Sequence, residues 1–365
     1  MLQSAPVNRL RDKLGQMFMV GLEGETLSGN ERLLLEECAF GGVILFERNC
    51  REPGRILSLC RELWNTAAGM PPFIAIDQEG GRVHRLPPPF TRFPAAAHLG
   101  TTGDTALAYK AGRATAAELA LAGINLNFAP VLDVNSNPRN ALIGDRAFGC
   151  TPDRVIDMSS AWARGLREGG IVPCGKHFPG HGGTDKDSHF DLPLVAKSLN
   201  QLRSLDLPPF TGACKHRLEA LMTAHVLYPA LDPELPATLS EKVVTGLLRH
   251  QFGYEGVVFS DDMEMKAISD RYHRKQAALL AARAGIDVLL FCHDMSKAIE
   301  VFEFLSDEAA KDPSLRARID SSHRRIGGLK RQYLKNFTGV ADGTLQGRLR
   351  QSDHRRIVEE IHGSL

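Results

Sequence analysis

The chain has 365 residues, 43% of them apolar and 24% charged, with a formal net charge of +1. That length and apolar share are enough for a sizeable core, in one large α/β domain or two smaller ones. The charge balance argues against a nucleic-acid partner, which wants a basic stripe, and no apolar run approaches the ~18 residues of a membrane span.

The first residues, Met1-Leu2-Gln3-Ser4-Ala5-Pro6, lack a basic segment followed by an apolar stretch. They read as carrying no signal peptide, and the expected address is cytoplasmic. Strand-like apolar runs then recur at residues 16–21, 42–46, 73–77, 124–134, 171–177, 220–225, 256–261 and 286–292. Short β-rich runs of this kind suit parallel strands buried on both faces.

Helix punctuation fills the intervals. Asp104 caps a helix through Ala122, with Gly123 after it. Thr151-Pro152 opens the next, which Gly169-Gly170 ends. Ser240 starts another, which Gly253 stops. Strands alternating with helices imply a parallel sheet, and eight of them in this length predict a single-domain α/β (β/α)8 TIM-type barrel. The alternative, a doubly wound open sheet, would usually show a Gly-rich first turn, and none follows the first run. The catalytic barrel domain is expected over residues 1–340. Residues 341–365 are expected to form a helical tail packed on or trailing from it. The basic, amphipathic stretch 314–336 reads as a packing helix.

Seven scattered cysteines form no CxxC pair and read as reduced thiols. Cys174 sits in a strand interior rather than as a nucleophile.

Ionisable residues gather where strands should end. The third run leads into Asp77-Gln78-Glu79-Gly80-Gly81-Arg82-Val83-His84-Arg85. The fourth reaches Asp133 and a loop with Asp145 and Arg146. The fifth gives Lys176 and His177 and a loop through His189. The sixth gives His225 and the seventh Asp261-Asp262. In a barrel these ends converge on the C-terminal face, where active sites lie. No phosphate-binding loop, serine elbow or dinucleotide fingerprint is present, which leaves hydrolysis of a polar substrate.

A barrel metallohydrolase is one alternative, with ligands from His177, His181, His189, His225 and Asp261. The His-x-His pair such a site wants on the first strand is missing, and His181 lies between glycines in a loop that nothing obvious pins. No metal and no cofactor are therefore expected. In the non-metal reading, Asp261 is a carboxylate held rigidly at the barrel mouth, a good place for a nucleophile. Asp262 should point elsewhere and bond to neighbouring backbone. Asp187 and His189, two apart on an extended loop, share a side. The carboxylate would orient the ring and raise its proton affinity, making a proton donor.

These residues carry a resemblance. Lys176-His177-Phe178-Pro179-Gly180-His181-Gly182 with Asp187-Ser188-His189 resembles the signature of glycoside hydrolase family 3, in its bacterial β-N-acetylglucosaminidase branch of the NagZ type. Ile76-Asp77-Gln78-Glu79-Gly80-Gly81-Arg82-Val83 and Phe259-Ser260-Asp261-Asp262-Met263-Glu264-Met265 resemble the same branch. Gly183, Lys186 and Met263 depart from its commoner residues. The resemblance implies Asp261 as nucleophile, His189 as general acid/base and Asp187 as its partner. It also implies sugar contacts from Asp77, Arg85, Arg146, Lys176 and His177, with Glu79 and Arg82 structural. The implied activity is retaining release of terminal N-acetylglucosamine from peptidoglycan fragments, N-acetylglucosaminyl-1,6-anhydro-N-acetylmuramic acid with or without peptide, through a glycosyl-aspartate. A phosphorylase on the same site, substrate-assisted catalysis by the acetamide and a non-catalytic sugar-binding protein are the rivals. The only expected partner is a small carbohydrate, with no nucleic acid and no membrane, and the chain is expected to be a monomer. Residues 180–187 are expected to form a mobile loop.

Overall fold

The computed structural model describes residues 5–67, 69–184, 188, 192–335, 337, 347, 349 and 354–364. Each apolar run that lacks polar alternation becomes a strand covered on both faces. The strands are β1 Phe18–Gly21, β2 Gly42–Leu45, β3 Phe73–Ile76, β4 Leu126–Asn127, β5 Val172–Phe178, β6 Ala220–Thr223, β7 Val257–Asp262 and β8 Val288–Phe291. All eight pair in parallel and in chain order, and β8 returns to β1 to close a barrel. This is the (β/α)8 architecture that the alternating pattern predicts.

The fourth run is regular for two residues only. Pro130 has no N–H to give the ladder, and beyond Asn127 the chain stays on β5 irregularly, the Ala129 and Pro130 carbonyls accepting the N–H groups of Cys174 and Lys176 around one bridge, Val131 with Lys176.

Helix ends follow the local chemistry. Asp104 accepts the N–H groups of Ala106 and Leu107 to cap the helix Thr105–Ala122. Pro152 opens the helix Pro152–Glu168. Ser240 accepts from the Val243 N–H at the start of the helix Lys242–Gln251. The helix His354–Gly363 packs on Ala96–Thr102 and Thr105–Ala122, with His354 Nδ1 2.8 Å from Glu118 Oε1. The expected boundary between residues 340 and 341 lies outside the described residues. Among the described residues no helix is long and apolar enough to cross a membrane.

Aromatic rings fill the barrel. Phe259 of β7 meets Phe73 at 6.3 Å and Phe128 at 5.3 Å, both edge-on. Two residues beyond Phe259, Asp261 stands at the C-terminal end of β7. All seven cysteines are free. Cys174 is fully buried in β5, and burial pushes its thiol well up, which leaves it an inert packing residue.

Candidate active site

At the C-terminal ends of the strands lies a cavity of about 460 Å³, bordered by Asp77, Arg85, Arg146, Lys176, His177 and Asp261. A second cavity, of about 360 Å³, lies against the helix Pro152–Glu168 and holds none of these groups. The sequence-predicted sugar contacts and the predicted nucleophile thus meet in one place.

Two irregularities in the sheet aim the side chains. On β5, Lys176 pairs with Met222 and Phe178 with Thr223, so His177 is an extra residue in the ladder. Regular alternation would send Lys176 and His177 to opposite faces. The bulge lets both border the cavity, as bulges near active sites commonly do. On β7 the register also shifts, with Phe259 opposite Val288 and Asp262 opposite Leu290. Asp262 consequently borders the cavity as well as Asp261. It still bonds to backbone as expected: its Oδ1 accepts from the N–H groups of Glu264 at 3.0 Å and Cys292 at 3.3 Å. Asp261 Oδ1 accepts the Asp262 N–H at 2.8 Å.

The floor of the site is a buried charge network. Lys176 Nζ donates to Asp77 Oδ1 and to Glu79 Oε1, each at 2.6 Å. Arg146 donates to both oxygens of Glu79, at 2.9 and 2.8 Å. Burial alone would raise the Glu79 pKa. The two cations outweigh it and hold the carboxyl well below the usual range. Lys176 loses to burial but gains more from Asp77 and Glu79, so its pKa stands above the ordinary lysine value.

Arg85 is placed by its own loop. Its backbone N–H donates to Gln78 Oε1 at 2.9 Å, and Gln78 is tied to Asn127 through both backbone groups. Arg85 Nε is buried and has no partner among the described residues, so a donor is held ready for a ligand. Arg82, expected to be structural, also borders the cavity. It bonds to Asp145 and to the carbonyls of Ala141, Leu142 and Ile143.

Asp133, which the sequence marks only as a strand end, organises the next part. It is fully buried. Oδ2 lies 2.7 Å from His177 Nδ1, and Oδ1 accepts the N–H groups of His177 at 3.2 Å and His181 at 2.6 Å. Burial would raise its pKa, but the two histidines outweigh that and hold it down.

The expectation of an unpinned loop around His181 is corrected. His181 is 1% exposed, and Asn140 Nδ2 donates to its carbonyl at 2.8 Å. A Cβ on Gly182 would stand 1.7 Å from the Val134 carbonyl, so glycine here permits close seating. The partners Asp133 and Asn140 are far upstream in sequence, which is why the glycine-rich stretch reads as loose. Of the rest, Asp187 and His189, with Lys186, lie outside the described residues. Ser188 is described and borders the cavity.

The metal-ligand reading meets occupied nitrogens. His181 bonds through both ring nitrogens to hydroxyls, and His225 bonds to Thr238 Oγ1 and the Asp262 carbonyl. Among the described residues no three His, Cys, Asp or Glu side chains converge as ligands.

The family model described as the glycosyl hydrolase family 3 N terminal domain matches residues 9–329. The chain belongs to this family. Among its relatives is a beta-hexosaminidase of Alkalilimnicola ehrlichii, 41% identical over 315 residues, or 84% of this chain and 88% of that protein. A beta-hexosaminidase of Pseudomonas aeruginosa is 38% identical over 285 residues, or 77% and 83%. Among solved structures, a glycoside hydrolase family 3 beta-N-acetylglucosaminidase from Paenibacillus sp. str. FPU-7 superposes with a TM-score of 0.92 at 40% identity, covering 97% of this chain and 68% of that one. NagZ from Neisseria gonorrhoeae gives 0.76 at 32% identity, covering 95% and 97%.

Proposed function

We propose that the protein is a retaining exo-β-N-acetylglucosaminidase acting on peptidoglycan fragments in cell-wall recycling. The broader class, a β-N-acetylhexosaminidase among glycoside hydrolases, rests on the relatives and their extent. One observation carries the finer reading: Asp261 faces a cavity whose other walls, Asp77, Lys176, His177, Arg85 and Arg146, match a sugar's hydroxyls.

In the first step an Asp261 oxygen forms a bond to the anomeric carbon as the glycosidic bond breaks. The leaving oxygen takes a proton from His189, oriented by Asp187. In the second step water attacks the glycosyl-aspartate, His189 takes its proton, and Asp261 is released. Most retaining enzymes use two carboxyl groups for these roles; here an imidazole replaces one. The natural substrate is N-acetylglucosaminyl-1,6-anhydro-N-acetylmuramic acid, with or without its peptide.

The test is trapping. Incubation with a fluorinated N-acetylglucosaminide that slows the second step should add one sugar mass, and peptide mapping should place it on Asp261. An adduct elsewhere, or none while the reagent is turned over, overturns the covalent assignment. Release of free N-acetylglucosamine from the disaccharide in phosphate-free buffer is expected. A requirement for phosphate, with a sugar phosphate as product, would make the enzyme a phosphorylase.

A further inference from the structure

His225, just past the end of β6, takes no part in the two-step reaction, yet it holds the segment that carries Asp261. Backbone pairing between β6 and β7 runs only to Met222 opposite Phe259. Past that rung the Ala224 N–H turns away, to the Phe178 carbonyl of β5. On its other side β7 takes three steps, Phe259 to Asp262, against two along β8, Val288 to Leu290. Neither flanking ladder therefore runs in register through Asp261. The His225 ring takes over where the β6 ladder stops. It is fully buried, and its Nε2 lies 2.9 Å from the Asp262 carbonyl. A carbonyl can only accept, so Nε2 carries a proton. Burial lowers the pKa of the ring, against the pull of the Asp261 charge, so the ring is neutral at working pH and Nδ1 holds a lone pair. The buried Thr238 hydroxyl, 2.8 Å from Nδ1, is the donor there. Its one proton goes to this acceptor rather than to the Ala224 carbonyl at 3.1 Å. Asp262 is the handle. Its carbonyl receives the His225 proton and the Met265 N–H at 3.0 Å, and its own N–H donates to Asp261 Oδ1 at 2.8 Å.

We infer that His225 is a positioning residue for the nucleophile: its Nε2–H, kept on that nitrogen by the Thr238 hydroxyl at the other, fixes the Asp262 backbone and with it the aim of the Asp261 carboxylate at the anomeric carbon. The inference rests on the proposed role of Asp261 as nucleophile. A ring with no exposed surface cannot touch the sugar, so it acts only through Asp262. The arrangement needs one tautomer and one donor at one atom, which packing alone does not require.

The test separates aim from binding. His225→Asn keeps an amide near the Nδ1 position but cannot reach the Asp262 carbonyl, whereas His225→Gln places an amide donor near Nε2. Thr238→Val deletes the hydroxyl and keeps the shape, and is the mild second variant should the first fold poorly. Each is assayed for its rate of trapping by the fluorinated N-acetylglucosaminide, for kcat/KM on an aryl N-acetylglucosaminide and on the disaccharide, and for inhibition by free N-acetylglucosamine. A misaimed nucleophile slows bond formation whatever group leaves, so His225→Asn should lose about 10- to 100-fold in trapping and on both substrates alike. The inhibition constant of N-acetylglucosamine should stay within about threefold, because Asp77, Arg85, Lys176 and His177 are untouched. Thr238→Val should fall in the same way by about 3- to 10-fold, and His225→Gln should return to within about threefold of the parent. Parental trapping in either His225→Asn or Thr238→Val, a glutamine variant no better than the asparagine one, or sugar binding weakened as much as the rate overturns the inference. If the parent is trapped on Asp261 in that case, the nucleophile reading stands and this inference alone falls. A parent trapped elsewhere removes Asp261 from its role and takes the inference with it.

Discussion

Asp261 and Asp262 are chain neighbours, but the second is largely enclosed, and that burial pushes its pKa up to about 7. His293 Nε2, 3.4 Å from Asp262 Oδ2, does not offset it, because that ring is largely exposed. A carboxyl whose folded pKa is raised binds its proton more tightly in the folded state. Its contribution to stability is full below about pH 4 and is lost as pH rises through about 7. Asp262→Asn keeps an oxygen for the Glu264 and Cys292 N–H groups and cannot ionise. The melting temperature of the variant should therefore gain on the parent between pH 4 and 8, and parallel curves in thermal melts would contradict the shift. Asp261→Ala should behave differently, folding normally and losing at least about 10³-fold in kcat/KM. Activity within tenfold of the parent would remove Asp261 from its role. At this scale the sequence is legible where a residue's job depends on its own strand position, as for Asp261. It is silent where the job depends on a distant partner, as for Asp133 and His181.

At the scale of elements, the eight apolar runs announce the barrel because parallel strands buried on both faces need unbroken hydrophobicity. Strand alternation, however, forecasts opposite faces for Lys176 and His177. Only the paired register reveals the bulge that turns both toward the cavity. The shortness of β4, two residues in a long apolar run, is visible only once its neighbours are known. Glu79 shows how the elements are then locked together: it joins the β3 loop to Lys176 of β5 and to Arg146 before the helix Pro152–Glu168. Glu79→Gln leaves two buried cations with one carboxylate, Asp77, between them. Removing one member of such a buried network costs roughly 3 kcal/mol, to be read as a lower urea midpoint at pH 7. Since the folded pKa of Glu79 is depressed, its stabilisation is present above about pH 4.5 and fades as pH falls below it, so the deficit of the variant should shrink in acid. KM for an aryl N-acetylglucosaminide should rise as well, because Lys176 and Arg146 lose their fixed positions. An unchanged midpoint and KM would mean that Asp77 alone suffices.

Across the whole molecule, the long helix Pro313–Leu334 reaches the end of the barrel opposite the cavity through one residue. Its Lys330 is 2% exposed. Nζ donates at 2.7 Å to Gln16 Oε1 and at 2.7 Å to the Gly41 carbonyl, and it stands 4.9 Å from the Phe73 ring centre. One side chain thus joins the last long helix to the entries of β1, β2 and β3. Among the described residues no carboxylate pairs with it, and burial lowers its pKa to about 7. The unfolded chain, with an ordinary lysine near 10.4, holds more protons between those two values. Stability should then rise with pH from about 7 toward 10, by up to about 1.4 kcal/mol per pH unit from this group. Lys330→Met abolishes that slope. It also leaves Gln16 and Gly41 without their donor, which costs a roughly constant amount at every pH, so the slope and not the offset is the measurement. Urea unfolding of parent and variant at pH 6, 7, 8 and 9 should show the parent gaining on Lys330→Met above pH 7 and running parallel to it below. Parallel lines across the full range would mean that Lys330 stays charged in the folded protein, held by its two oxygen acceptors and the Phe73 ring against the cost of burial.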